Sequence, residues 1–201
     1  NDDPASRRVQ LRRQIAAGVL DRDALRARIA GYRSERDALE AGLGEAIAAM
    51  QAAGELMLPD DGTLRIARDA LRRLGDDAAF VLLQRAIAAV GGRGHGPEGA
   101  ATIRLLDALR GESEAARTLA GVRAVPGATI ILMREYGRAG IAALPATGGE
   151  RVFDGRFVVD AGAGPLHSGA RLVAFGDLGR GNPVEKTLPV LVAGDSLVAI
   201  P

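Results

Sequence analysis

The sequence predicts a segregated α+β fold, in which a helical region led by one long helix is followed by a small, mostly antiparallel β-rich domain. Three observations support this prediction. Apolar residues recur every three or four positions over residues 21–54, which is the period of one face of an α-helix. From residue 116 onward, short runs rich in Val, Ile and Leu alternate with turns containing Gly and Pro. Because the strands follow the helices instead of alternating with them, a parallel α/β sheet is not expected.

The long helix over residues 21–54 is the most strongly patterned element. Its apolar stripe consists of Leu25, Ile29, Tyr32, Leu39, Leu43, Ile47 and Met50. Only Arg36 interrupts the stripe, and Asp21 is suited to cap the N-terminus of the helix. At about 1.5 Å per residue, an unbroken helix of this length extends roughly 50 Å. Such a helix is better suited to bridge two regions than to close a compact bundle.

Shorter elements flank the long helix. A basic helix is predicted over residues 4–17 and ends at Gly18. Beyond the long helix, the turn sequence at 59–62 lies between two short alternating runs and predicts a small β-hairpin. Further helices are predicted before residue 115. The chain therefore divides into a basic linker at 1–20, a helical domain at 21–115 and a β-rich domain at 116–201.

Composition excludes several kinds of site. The 201 residues include no cysteine, so disulfides and thiolate metal sites cannot form, and a reducing compartment such as the cytoplasm is expected. Aromatic residues make up 3% of the chain, so stacking of bases on aromatic platforms is not expected. No apolar run is long enough to cross a membrane. The sequence also lacks a Walker loop, a cluster of metal ligands and a nucleophile elbow, and we assign no catalytic or metal-binding residue.

Several short motifs occur in a fixed order along the chain. The first contains Asn1, Asp3, Arg8 and Arg12, with Ser6 where an aromatic residue would be usual. The others are Arg117-Thr118-Leu119-Ala120-Gly121, then Phe153-Asp154-Gly155-Arg156-Phe157, then Leu188-Pro189-Val190-Leu191, and finally Val198-Ala199-Ile200-Pro201. Together they resemble the C-terminal half of bacterial tRNA(Ile)-lysidine synthetases of the alphaproteobacterial type. In that family the first motif closes the ATP-pyrophosphatase domain and leads into an arginine-rich linker helix.

The resemblance implies a function for the parent protein. The family uses ATP to join lysine to the wobble cytidine of the minor isoleucine tRNA. ATP and Mg²⁺ are bound in an N-terminal domain through a Ser-Gly-Gly-x-Asp-Ser loop, which this sequence lacks. We therefore expect a non-catalytic tRNA-recognition region without a cofactor of its own, with residues 1–20 as the tail of the synthetase domain. Its expected partners are the minor isoleucine tRNA and its own N-terminal catalytic domain; no membrane is expected, and homodimer formation is left open.

Arginine is the expected phosphate contact, because its planar fork matches the phosphate oxygens. Residues 1–36 hold nine arginines against five acidic residues, although the net charge of the whole chain is +1. The candidates for RNA contact are Arg12, Arg13, Arg26, Arg33 and Arg36 in the helical part, and Arg134 and Arg138 after the second β-run. Each of them is equally consistent with a solvated or an intramolecularly paired side chain. Asp154 and Gly155 are interpreted as a turn that sets strand register.

A helical protein-interaction or scaffold module without RNA binding is the alternative. In that case the apolar end of the long helix, near Ile47 and Met50, would pack on a partner or on a second copy. An exposed apolar stripe would favour this alternative, whereas arginines gathered on one face would favour an RNA surface.

Overall fold

A computed structural model describes residues 6–19, 21–146, 149–160, 169–194 and 196–199. Helices make up the N-terminal half, and the C-terminal half is built of antiparallel sheets, so the predicted segregated α+β class is confirmed. The chain forms two compact units, Asn1–Glu45 and Ala46–Pro201. Within the described part of the chain, no helix combines the length and the apolar character that a membrane span requires.

Two helices begin the chain. Helix α1 spans Arg7–Ala16, and α2 spans Arg22–Ala52, which confirms the long helix. Asp21 is its N-cap, because one carboxylate oxygen accepts hydrogen bonds from the backbone N–H groups of Asp23, at 2.8 Å, and Ala24, at 3.3 Å. The 31 residues of α2 correspond to a length of roughly 47 Å. The helix is continuous through its internal glycines and passes the end of the first unit at Glu45.

A five-stranded antiparallel sheet lies in the second unit. Its strands are β1 (Leu56–Met57), β2 (Leu64–Ala67), β3 (Arg117–Leu119), β4 (Val122–Val125) and β5 (Thr129–Arg134), in the spatial order β1-β2-β5-β4-β3. The predicted hairpin is confirmed, since β1 and β2 pair antiparallel. Because this hairpin joins the sheet through β5, the boundary predicted at residue 115 falls inside the second unit.

Three helices pack on the sheet. Helix α3 (Arg68–Arg73) contacts β2, α4 (Asp76–Val90) contacts β5, and α5 (Gly99–Arg110) contacts β3. In β2 and β4, buried residues alternate with half-buried or exposed ones, as expected for a sheet that is covered on one face. The largest fully buried side chains at this interface are Ile66, Leu71, Leu83, Ile87, Leu109, Ile130 and Leu132.

A second sheet and a hairpin complete the second unit. The four-stranded sheet has the order β11-β10-β9-β6, built from β6 (Leu144–Pro145), β9 (Ala170–Ala174), β10 (Pro189–Ala193) and β11 (Ser196–Ala199). The separate hairpin consists of β7 (Glu150–Phe153) and β8 (Phe157–Asp160). Phe153 is fully buried and joins this hairpin to a cluster that contains Leu172 and Ala174 of β9. Short 3₁₀ helices at Phe175–Leu178 and Glu185–Thr187 connect β9 to β10.

Candidate nucleic-acid interface

Four exposed arginines share one face of α2. They are Arg22, Arg26, Arg33 and Arg36. With 3.6 residues per turn, their positions fall within an arc of about 80° and extend roughly 21 Å along the helix. Ile29 lies within the same arc and is 50% exposed. The predicted residues Arg26, Arg33 and Arg36 therefore lie on one surface. Arg22, which the sequence interpretation missed, belongs with them, and its spacing of four from Arg26 is the signal that could have identified it.

The arginines on this face are weakly engaged within the protein. Arg26 forms an ion pair of 3.1 Å with Asp23, but the two side chains are 69% and 86% exposed. Arg36 lies 3.7 Å from Asp37, and both side chains are again exposed. Exposed pairs of this kind contribute at most about 1 kcal/mol, so a phosphate group can replace the carboxylate at little cost. Arg33 has no hydrogen-bond or ion-pair partner among the described residues.

Helix α1 adds further positive charge to the same unit. Arg8, Arg12 and Arg13 are exposed on α1, while Val9 is buried. Neither Arg12 nor Arg13 has an ion-pair partner among residues 6–19 and the other described segments. The motif residues Asn1 and Asp3 lie outside the described residues.

The two predicted arginines of the second unit differ from each other. Arg138 is exposed in the segment that follows β5. Arg134 is engaged on every side-chain nitrogen. Its Nε and Nη2 donate to the carboxylate of Asp154, at 3.0 and 3.3 Å, and its Nη1 donates to the carbonyl oxygens of Gly121 and Glu135, both at 3.1 Å. For Arg134 the structure shows the intramolecularly paired alternative, whereas the other six predicted arginines are exposed.

Asp154 is the centre of a buried charge cluster. Its side chain is 12% exposed and accepts hydrogen bonds from Arg134 and from Nε of Arg156, the latter at 2.9 Å. The Arg156 side chain is 4% exposed, and its Nη2 donates to the carbonyl oxygen of Thr187 at 2.7 Å. Burial lowers the pKa of the Arg156 guanidinium, while the neighbouring Asp154 carboxylate raises it and opposes this effect. The cluster links β5 to the β7–β8 hairpin and to the segment before β10.

The turn at Asp154 and Gly155 also packs against the glycine-rich loop that follows α4. Both residues have positive φ, as the two central positions of a type I′ turn require, and the N–H of Arg156 closes the turn by donating to the carbonyl oxygen of Phe153 at 3.0 Å. A Cβ atom at Gly155 would lie 2.4 Å from the carbonyl oxygen of Gly92, and a Cβ at Gly92 would lie 1.8 Å from that of Asp154. The interpretation of these motif residues as a turn is therefore confirmed, and their close backbone contact explains why glycine occupies both loops.

In the described segments, no group of three or more His, Asp or Glu residues is arranged to hold a metal ion. Comparison of the chain with models of protein families, with curated proteins and with solved structures gives no match.

Proposed function

We propose that this chain is a non-catalytic tRNA-binding region of tRNA(Ile)-lysidine synthetase and acts in the cytoplasm. The row of exposed arginines on α2 is the observation that supports RNA binding, and the order of the sequence motifs supports the choice of this enzyme. In this proposal ATP and Mg²⁺ are bound in an N-terminal catalytic domain outside this sequence. The chain's partners are that domain and the minor isoleucine tRNA.

The α2 face suits the backbone of an RNA helix. Its arginines extend roughly 21 Å in a line, and the phosphates of an A-form helix are reached by shape and charge without reading of base edges. Aromatic residues make up 3% of the chain, which favours a duplex ligand over single-stranded bases that stack on aromatic side chains. Each phosphate that is neutralised releases counterions, so binding should weaken as salt is added.

The first test is filter binding of the chain to the minor isoleucine tRNA and to a noncognate tRNA at two salt concentrations. We expect affinity that falls linearly with salt on logarithmic axes. Preference for the cognate tRNA would place discrimination in this region, and equal binding would indicate a general tRNA clamp. No binding at low salt would contradict the proposal.

A pair of double variants tests the α2 face itself. Arg26→Gln with Arg33→Gln removes two charges from the face, and glutamine retains good helix propensity. Arg28→Gln with Arg180→Gln is the matched control, because both residues are exposed, Arg28 falls outside the arc of this face, and Arg180 belongs to the second unit. The salt slope is the slope of the logarithm of affinity against the logarithm of salt concentration. We expect the first variant to lower its magnitude by about two and the control to leave it nearly unchanged. Equal effects of the two variants would show that only net charge matters and would refute an assignment to this face.

A protein-interaction module is the second candidate function. The apolar end on which it was predicted is covered, since Met50 is 5% exposed and Ile47 is half-buried. At the other end of α2, however, Ile29 and Tyr32 are 50% and 61% exposed. This pair is the observation that favours a partner or a second copy. Sedimentation velocity over a range of concentrations tests it: self-association that is lost on Ile29→Ser would support this module, and a monomer throughout would argue against a homodimer.

A further inference from the structure

A second basic surface lies at the edge of the five-stranded sheet. A pocket of about 230 Å³ is formed between α5 and β3, and it is lined by Ala101, Arg104, Leu105, Arg117, Thr118 and Leu119. Two of these six residues are arginines, and none is acidic. Both arginines are exposed, and neither has an ion-pair partner in the described part of the chain.

The strand register explains how Arg117 reaches the pocket. Arg117 pairs with Ala124, which pairs in turn with Leu132. Paired residues of an antiparallel sheet project from the same face, and Ala124 and Leu132 are fully buried under the helices. Arg117 therefore projects from the covered face, but at the open edge of the sheet, where α5 presents Arg104.

The same register supplies a backbone donor. Leu119 and Val122 flank the two-residue turn of Ala120 and Gly121, so they form the hydrogen-bonded pair that closes the hairpin. The next pair, Thr118 with Arg123, is then a non-hydrogen-bonded pair, and the N–H of Thr118 points away from β4. Because β3 is the edge strand of this sheet, that N–H faces away from the sheet, and Thr118 is one of the residues that line the pocket.

We infer that this pocket is an anion site for a phosphate group, held by the guanidinium groups of Arg104 and Arg117 and by the edge N–H of Thr118. Two planar forks and a backbone donor match a tetrahedral oxyanion that accepts several hydrogen bonds. Thr118 also contacts an acidic residue, since its hydroxyl donates a hydrogen bond of 3.4 Å to the carboxylate of Glu135. The inference deepens the proposed function and rests on it in one respect, because it takes the RNA backbone as the source of the phosphate.

The test combines a double variant of the whole chain with a direct probe of the arginines. Arg104→Gln with Arg117→Gln is compared with the control Arg28→Gln with Arg180→Gln in filter binding to tRNA. Two guanidiniums on a single phosphate neutralise one charge, so we expect a salt slope lowered by about one. Affinity at low salt should fall by at least roughly tenfold, since hydrogen bonds to charged groups are lost.

In parallel, the NMR resonances of the side-chain Nε–H groups of Arg104 and Arg117 are followed while inorganic phosphate is added, with chloride at equal ionic strength as control.

The outcomes separate this inference from the proposed function. Shifts with phosphate but not with chloride, together with weaker tRNA binding by the double variant alone, would support both. Normal tRNA binding by the double variant, without phosphate shifts in the wild type, would overturn the anion site and leave tRNA binding intact. Phosphate shifts in a wild-type chain that binds no tRNA would support the site, identify free phosphate as its ligand and refute the proposed function.

Discussion

Replacement of Asp154 by asparagine should destabilise the second unit strongly. The carboxylate accepts three charge-assisted hydrogen bonds, two from Arg134 at 3.0 and 3.3 Å and one from Arg156 at 2.9 Å. Asparagine tolerates the positive φ at this position, so the turn geometry is kept and the change removes chiefly the negative charge. Two guanidiniums, 19% and 4% exposed, then face each other without a counter-charge.

The expected loss is about 3 kcal/mol in the free energy of unfolding. Removal of one partner from a buried ion pair costs about 3–5 kcal/mol. We take the lower end, because asparagine retains one acceptor oxygen and Arg134 is partly hydrated. Urea unfolding followed by circular dichroism should show a lower midpoint and an unchanged slope, because the surface exposed on unfolding stays the same.

The matched control is Asp61→Asn. Asp61 pairs with Arg65 at 2.9 Å, but their side chains are 30% and 38% exposed, so the loss should stay below about 1 kcal/mol. If Asp154→Asn costs no more than Asp61→Asn, the buried cluster does not hold the hairpin to the sheet, and our reasoning is refuted.

Three further predictions concern two glycine-to-alanine substitutions and the pKa of a tyrosine. Gly92→Ala should lower the free energy of unfolding in urea by more than about 2 kcal/mol, because the φ of Gly92 is +65° and a Cβ would meet a carbonyl oxygen at 1.8 Å. Gly94→Ala is the control and should lower it little, because a Cβ there meets nothing within 4 Å. Equal losses for the two variants would contradict the predicted clash. Gly31→Ala should increase helix stability by about 1 kcal/mol, since a Cβ there meets nothing within 4 Å; an unchanged helical signal on heating would argue against a formed helix at this point. The hydrogen bond from Tyr136 to Asp177 raises the pKa of the phenol to about 12. The neutral phenol therefore stabilises the fold below its unfolded pKa of about 10, and this contribution is lost as pH rises through about 12. An absorbance titration at alkaline pH, in a chain whose other tyrosine is replaced by phenylalanine, should show the raised pKa of Tyr136. Asp177→Asn should remove this rise in pKa. A titration curve that Asp177→Asn leaves unchanged would refute the assigned cause.

Several elements follow from the sequence because their causes are local. Helix α2 is specified by a 3.6-residue period and by Asp21, whose cap bonds reach only two and three residues ahead. The turn at Asp154 and Gly155 is likewise specified by two residues that accept positive φ. The arginine face of α2 could be derived in the same way, since helical geometry alone sets the angle between its members.

Other features depend on contacts between distant parts of the chain, and only the tertiary structure decides them. Arg134 and Arg138 lie close together in the sequence, yet Arg134 binds a carboxylate 20 residues away and Arg138 is exposed. The role of Gly92 depends on which loop packs against it. The pocket at Arg104 and Arg117 forms because α5 lies beside the edge strand. Local periodicity determines which face of an element is apolar, whereas the packing of all the elements together determines which side chains meet and which charges remain available to a ligand.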